Sequence, residues 1–394
     1  MRNSYDFFIH FLETESKSAL ISIRRLIENY PFRTLFNEDN FTKLIKELGH
    51  ESHKKWDKTL LFSEQLEKVF FPGDSENKAK LENENCSALF RSIFERVLRD
   101  GNYDSALAYA KERLVKGGTN EDTRPWVVLV TGVNGIRKTT TVYQNWYATL
   151  LSEALTYPNG SKQIDNLDAL PLGSNSFFRQ LDHMIAVLAN EQFALLYSIE
   201  QTAPHENRKA VDANSKFKDA VFARYRTLSE MVGIIFVRDC IRSKMNIMIE
   251  TSGRDASMFN YVNSLFDDDS LYRKLVLRFT INDIRHAERS VDRRMQEEMK
   301  RGIEILHDLQ EDREEVKFRK IIDVNAGGPY GSTVLQGVQA EADNVWGEMC
   351  TNSVIDGWYK ASFQISGSED GPWTATAVLP DGSLGSTFEF PLRK

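Results

Sequence analysis

Short apolar runs and helical periods alternate along most of the chain, and their spacing predicts what each segment becomes. Up to about residue 115 apolar residues recur at helical spacing: Phe7, Phe8, Phe11 and Leu12, then Leu44, Ile45 and Leu48, then Leu89, Phe90, Ile93, Phe94, Val97 and Leu98. Residues 73–77, Gly-Asp-Ser-Glu-Asn, interrupt this pattern and predict a loop. After the linker-like run 117–122 the pattern changes. Residues 126–130, Trp-Val-Val-Leu-Val, have the look of a strand buried on both faces of a parallel sheet. Similar runs follow at 246–250 and 274–280, with helical periods within 177–196, over about 215–244 and over about 283–309. A shorter apolar run at 320–324 reads as a further strand. Strands alternating with helices predict an α/β fold with a mostly parallel sheet. The C-terminal segment differs: 358–365, 373–378 and 387–390 are strand-like, with a turn at 380–383, and predict a small antiparallel β-meander. The expected organisation is an N-terminal helical region over 1–118, an α/β domain over 119–340 and a β-rich extension over 341–394.

Composition narrows the class. With 41% hydrophobic and 27% charged residues, the 394-residue chain can bury an ordinary core. Fifty Lys+Arg against 57 Asp+Glu give a net charge of −7, which argues against a general nucleic-acid binder, since that affinity comes from neutralising phosphates. Cys86, Cys240 and Cys350 are too scattered for a disulfide framework or a CxxC metal pair and predict a reducing compartment. No apolar run is long enough to span a bilayer, and the run at Phe7 is broken too soon by His10 and Glu13 for a signal-peptide core. The expectation is a soluble cytoplasmic protein without nucleic-acid or membrane partners, its N-terminal helices offering a surface to a protein partner.

The candidate chemistry begins directly after the first strand. Gly132, Val133, Asn134, Gly135, Ile136, Arg137, Lys138 and Thr139, followed by Thr140, meet the phosphate-loop pattern G-x-x-x-x-G-K-[ST] at every fixed position but one. In such a loop the backbone N–H groups face the phosphates and the helix N-terminus adds its positive end. Lys138 would reach the β- and γ-phosphates and the Thr139 hydroxyl would ligate Mg²⁺. Arg137 is the exception, standing where glycine lets the backbone run close to the phosphates. Either its side chain turns outward or onto a phosphate and the loop works, or the loop is impaired and the protein binds without turnover.

The strand at 246–250 ends in Glu250-Thr251-Ser252-Gly253-Arg254. Ligands of open α/β sheets bind outside the carboxyl ends of the strands, so this segment is expected to face the glycine loop. Together with Ile249, these residues and the loop resemble the zeta-toxin-like kinases, P-loop enzymes whose strand ends in Ile-Glu-x-Thr-Gly-Arg; Ser252 stands in place of that Thr. The resemblance spans about residues 127–301. It implies a P-loop NTPase-type sheet, ATP and Mg²⁺ as cofactors, and phosphoryl transfer to a hydroxyl of a small polar metabolite such as a sugar or nucleotide-sugar. It further implies that Glu250, Ser252 and Arg254 position the acceptor, with Arg254 also acting in catalysis, and that a lid-helix arginine, Arg293 or the adjacent Arg294, clamps the phosphates, with Arg289 in reserve. A general base is implied near the second strand, where Asp165, Asp168 and Asp182 are candidates and Asp182 is preferred; Asp165 is then an acceptor ligand.

The same motifs resemble those of the signal-recognition-particle GTPases, whose loop reads Gly-Val-Asn-Gly-x-Gly-Lys-Thr-Thr-Thr and whose later motif reads Asp-Thr-Ala-Gly-Arg. Their guanine-reading Thr-Lys-x-Asp is matched only by Thr280-Ile281-Asn282-Asp283, without the lysine. A GTPase, or a nucleotide-binding interaction protein without turnover, is the alternative expectation. The glycine-rich 325–331 reads as a turn after the strand at 320–324, with a second phosphate-contacting loop as the other reading.

Overall fold

The computed structural model describes residues 96–116 and 124–390, except 158, 162, 165–169, most of 190–239, 308–313, 326, 330 and 370. The helical stretches expected within 1–94, the linker at 117–122, and Asp165 and Asp168 lie outside the described residues.

The 126–130 run forms the centre of the sheet. β1 (Trp126–Thr131) is buried at every position, as an apolar run without alternation requires. It pairs in parallel with β3 (Asn246–Glu250) on one side and β4 (Arg273–Ile281) on the other. β2 (Ser176–Arg179) lies beyond β3, also parallel. The seven strands run in the order β2-β3-β1-β4-β5-β6-β7. The chain therefore leaves β1 for one side of the sheet, returns beside it as β3 and crosses to β4. That reversal puts a crevice at the carboxyl end of β1, where open α/β sheets bind ligands.

One face of the sheet, with Val128, Val130, Leu277, Phe279, Phe363 and Ala375, forms a single apolar core with Tyr147, Leu150 and Leu151 of α3 (Tyr147–Ala154). Val127, Leu129, Ile247, Ile249 and Val276 alternate with those residues and are fully buried as well. Each such side chain contributes roughly 1.5–3 kcal/mol on burial, so the strands that carry the site are rigid. The chain further forms α1 (Tyr103–Lys116), α2 (Lys138–Val142), α4 (Leu181–Leu188), α5 (Ser257–Leu265), α6 (Ile284–His307), α7 (Glu314–Val324) and α8 (Ser332–Thr351). Among the described residues no helix is long and apolar enough to cross a membrane.

The chain divides into two compact units. Residues 101–180, 240–295 and 330–394 make the sheet unit; residues 1–100, 181–239 and 296–329 make the other. In the second unit a buried ion pair, Lys218 to Glu298 at 2.5 Å, lies beside the glycine-rich segment that starts at Asn325. Lys218 also donates to the Gly327 carbonyl (3.3 Å), Ser215 to the Pro329 carbonyl (2.5 Å) and the Tyr197 hydroxyl to Asn325 Oδ1 (2.7 Å).

Two expectations are corrected. The C-terminal strands do not form a meander of their own: β5 (Tyr359–Ser366) pairs in parallel with β4, and only β6 (Thr374–Val378) and β7 (Leu384–Glu389) add antiparallel strands to that same sheet. Residues 320–324 are the end of α7, not a strand; Ile321, Ile322 and Val324 are buried there, and an apolar run this short fits a buried helix as well as a strand. The helix expected within 177–196 is present as α4, which starts at Leu181 after strand β2 at residues 176–179.

Candidate functional site

Two glycines give the loop after β1 its path. Gly132 has φ +136°, and a Cβ there would lie 2.6 Å from the Phe279 carbonyl oxygen at the end of β4. Gly135 has φ +84°, and its Cβ would lie 2.7 Å from Val291 Cγ1 and 3.0 Å from the Ala287 carbonyl oxygen on α6. The backbone is thus pressed against β4 and α6 in conformations that L side chains resist. Val133 and Ile136 turn into the core, 2% and 0% exposed, and anchor the loop from beneath. Asn134, Thr139 and Thr140 stay half-exposed.

At the loop's end Lys138 opens α2 yet is only 3% exposed. Its ammonium donates to the carbonyls of Gly132 (2.7 Å) and Val133 (2.9 Å) and pairs with Glu250 Oε1 at 3.2 Å. Thr139 Oγ1 donates to the other carboxylate oxygen of Glu250 at 3.4 Å. The register explains the meeting: Val130 and Glu250 are partners across β1 and β3, so the two strands deliver the loop and the carboxylate side by side. A cation, a hydroxyl and a carboxylate within hydrogen-bond reach, below a glycine cradle, can hold an oxyanion and an oxygen-seeking cation together.

Arg137 is the αL residue before α2, with φ 63° and ψ 29°. For a residue with a Cβ that conformation costs roughly 1–2 kcal/mol. Its guanidinium lies over the Trp373 ring at 4.7 Å and the Phe390 ring at 5.4 Å. The side chain is thus turned outward, onto these two rings. Its carbonyl accepts both the N–H and the Oγ1 hydrogen of Thr141, each at 2.9 Å.

The other expected residues are spread more widely. Glu250, expected at the acceptor, is drawn to Lys138 and Thr139. Ser252 is half-buried and Arg254 exposed, separated by Gly253, whose φ of +80° and 3.0 Å clearance to Thr131 Cβ press this turn onto β1. On α6, Ala287 and Val291 touch Gly135, and Arg294 follows on that face at i+7 and i+3; it is half-buried, whereas Arg293 is exposed. Arg289 is ion-paired to Glu369. Asp182 lies in the first turn of α4, a helix of the second unit.

Sequence reasoning missed a small pocket beside Gly132 and Gly253, walled by Arg278, Thr280, Asp343 and Trp346. Arg278 pairs with Asp343 at 2.8 Å and lies over the Trp346 ring at 5.2 Å. An arginine inside an otherwise apolar strand run was the available signal. Trp346 and Asp343 had none, because only the packing of α8 brings them there. No family model, curated protein or solved structure matches the chain.

Proposed function

We propose that this protein is a P-loop-type kinase that binds ATP with Mg²⁺ at the glycine loop and transfers a phosphoryl group to a hydroxyl of a small polar metabolite. The observation that carries the reading is the convergence of Lys138, Thr139 and Glu250 beneath a loop whose glycines leave no room for a Cβ. The oxygen donors of Thr139 and Glu250, 3.4 Å apart, suit Mg²⁺, a cation that takes oxygen ligands. When bound, Mg²⁺ neutralises charge on the phosphates. Lys138 would then exchange its carbonyl partners for phosphate oxygens, and the N–H groups at the start of α2 would face the same anion. Arg294, on the α6 face that meets the loop, is better directed than Arg293 to clamp the phosphates. The acceptor would approach the half-buried Ser252 and the exposed Arg254, on the turn that follows β3.

The state of Asp283 supports ATP over GTP. Its carboxylate accepts from Arg285 Nε and Nη2 and from the Arg285 backbone N–H, so the residue matched to a guanine reader is engaged in capping α6. Incubation with γ-labelled ATP and a fractionated metabolite extract tests the proposal. Label should pass to an acceptor, and Lys138→Ala should abolish transfer. Arg254→Ala should lower transfer by about two to three orders of magnitude while leaving ATP affinity nearly unchanged. Equal losses of binding and transfer would put Arg254 on the nucleotide, and a strong GTP preference would sink the kinase reading.

A further inference from the structure

Arg137 stands at the second fixed glycine of the loop pattern, and the place its side chain goes gives that replacement a purpose. Trp373 and Phe390, the rings beneath the guanidinium, are 6% and 2% exposed. They flank the β6–β7 hairpin, one before its first strand and one after its last, and the Phe390 N–H donates to the Trp373 carbonyl at 2.8 Å. Trp146, just ahead of α3, meets Phe390 edge-on at 5.5 Å and stacks on Phe388 at 5.3 Å. The His286 ring meets Trp373 edge-on at 6.3 Å. The guanidinium is therefore seated on a packed aromatic cluster that several elements hold in place.

We infer that Arg137 is a positioning residue that fastens the glycine loop to the C-terminal hairpin, making β6–β7 a working part of the phosphate-binding device. A planar guanidinium is attracted to the face of an indole ring, and lysine cannot reproduce that flat contact. Held at its far end, the residue keeps its backbone in the left-handed conformation from which α2 starts. The two bonds from Thr141 to the Arg137 carbonyl then fix the first turn, where Lys138 and Thr139 stand. Loss of the stack frees that turn. The functional half of this inference rests on the proposed nucleotide site; the structural half rests on the contacts alone.

Hydrogen exchange of peptides covering residues 132–142, paired with ATP·Mg²⁺ affinity on the full chain, tests both halves. Arg137→Asn removes the stack while keeping a residue that tolerates the left-handed conformation. Trp373→Leu removes the same contact from the other side, and Phe390→Leu replaces it should that variant fail to fold. Loop amides are expected to exchange about tenfold faster in either variant, with ATP binding about tenfold weaker, equivalent to about 1.4 kcal/mol. Arg137→Lys should fall between these and wild type. The double variant Arg137→Asn/Trp373→Leu should bind ATP no more weakly than the worse single one. Unchanged loop exchange in Arg137→Asn overturns the tether whatever the ATP affinity, and losses that multiply in the double variant overturn it too. Faster exchange together with a wild type that binds no nucleotide upholds the tether and overturns the nucleotide reading instead.

Discussion

Gly135 is the residue on which the loop's path depends most, because it touches α6 rather than the sheet. Adding one methyl group there sets a Cβ against Val291 and the Ala287 carbonyl and holds a φ of +84° that alanine disfavours. Gly135→Ala should cost about 2–4 kcal/mol, combining left-handed strain with overpacking. Denaturant unfolding reads this as a lower midpoint at unchanged slope; a loss below about 1 kcal/mol would mean that the loop yields freely. Much at this scale was legible in the sequence. Gly132, Gly135, Lys138 and Thr139 follow a pattern with fixed spacing, and Glu250 ends a recognisable strand. The seat of Arg137 was not legible, because Trp373 and Phe390 reach it only through the pairing of β6 and β7. Nor did the motif tell that Glu250 turns to Lys138; the register of β1 with β3 decides that.

At the scale of elements, α6 links the loop contact at Gly135 to its own cap at Asp283. The Arg285 side chain, its backbone N–H and its positive charge hold the Asp283 carboxyl at about 2, below its ordinary 3.8. A carboxylate with a depressed folded pKa adds stability that is complete above the unfolded value and lost as pH falls through the folded one. The Asp283 contribution is therefore expected at pH 5 and should fade between about pH 4 and pH 2. Asp283→Asn keeps a capping side chain without the titration. The melting-temperature difference between wild type and this variant should shrink over that interval, and a difference independent of pH would contradict the assignment. Element identity was legible wherever the run was long or strongly periodic, as for β1, β3, β4 and α6. It failed at residues 320–324 and 176–179, where three and two apolar residues suit either helix or strand and tertiary packing decides.

On the scale of the whole molecule the described residues form two units with different kinds of core. The sheet unit is apolar at its centre, whereas the second buries Lys218 against Glu298, 0% and 3% exposed. Removing one partner leaves a charge in a dry interior, so Lys218→Met should destabilise by about 3–5 kcal/mol, while replacing both residues with apolar ones should restore most of that. Thermal unfolding of the single and double variants checks this, and a harmless single variant would refute it. The alternation of strands and helices foretells the α/β class, yet the C-terminal strands suit a separate meander by their local pattern, since nothing in it records that β5 lies parallel to β4. With the hairpin in the main sheet, the glycine loop, Glu250 and the Arg137 seat belong to one unit. The most direct measurement is equilibrium binding of ATP with and without Mg²⁺ to wild type, Lys138→Ala and Glu250→Gln. Saturable binding by wild type is predicted, strengthened by Mg²⁺, lost in Lys138→Ala and retained with a weaker Mg²⁺ dependence in Glu250→Gln. Wild-type protein that binds no ATP at millimolar concentration, or Lys138→Ala that binds as wild type does, would contradict the account.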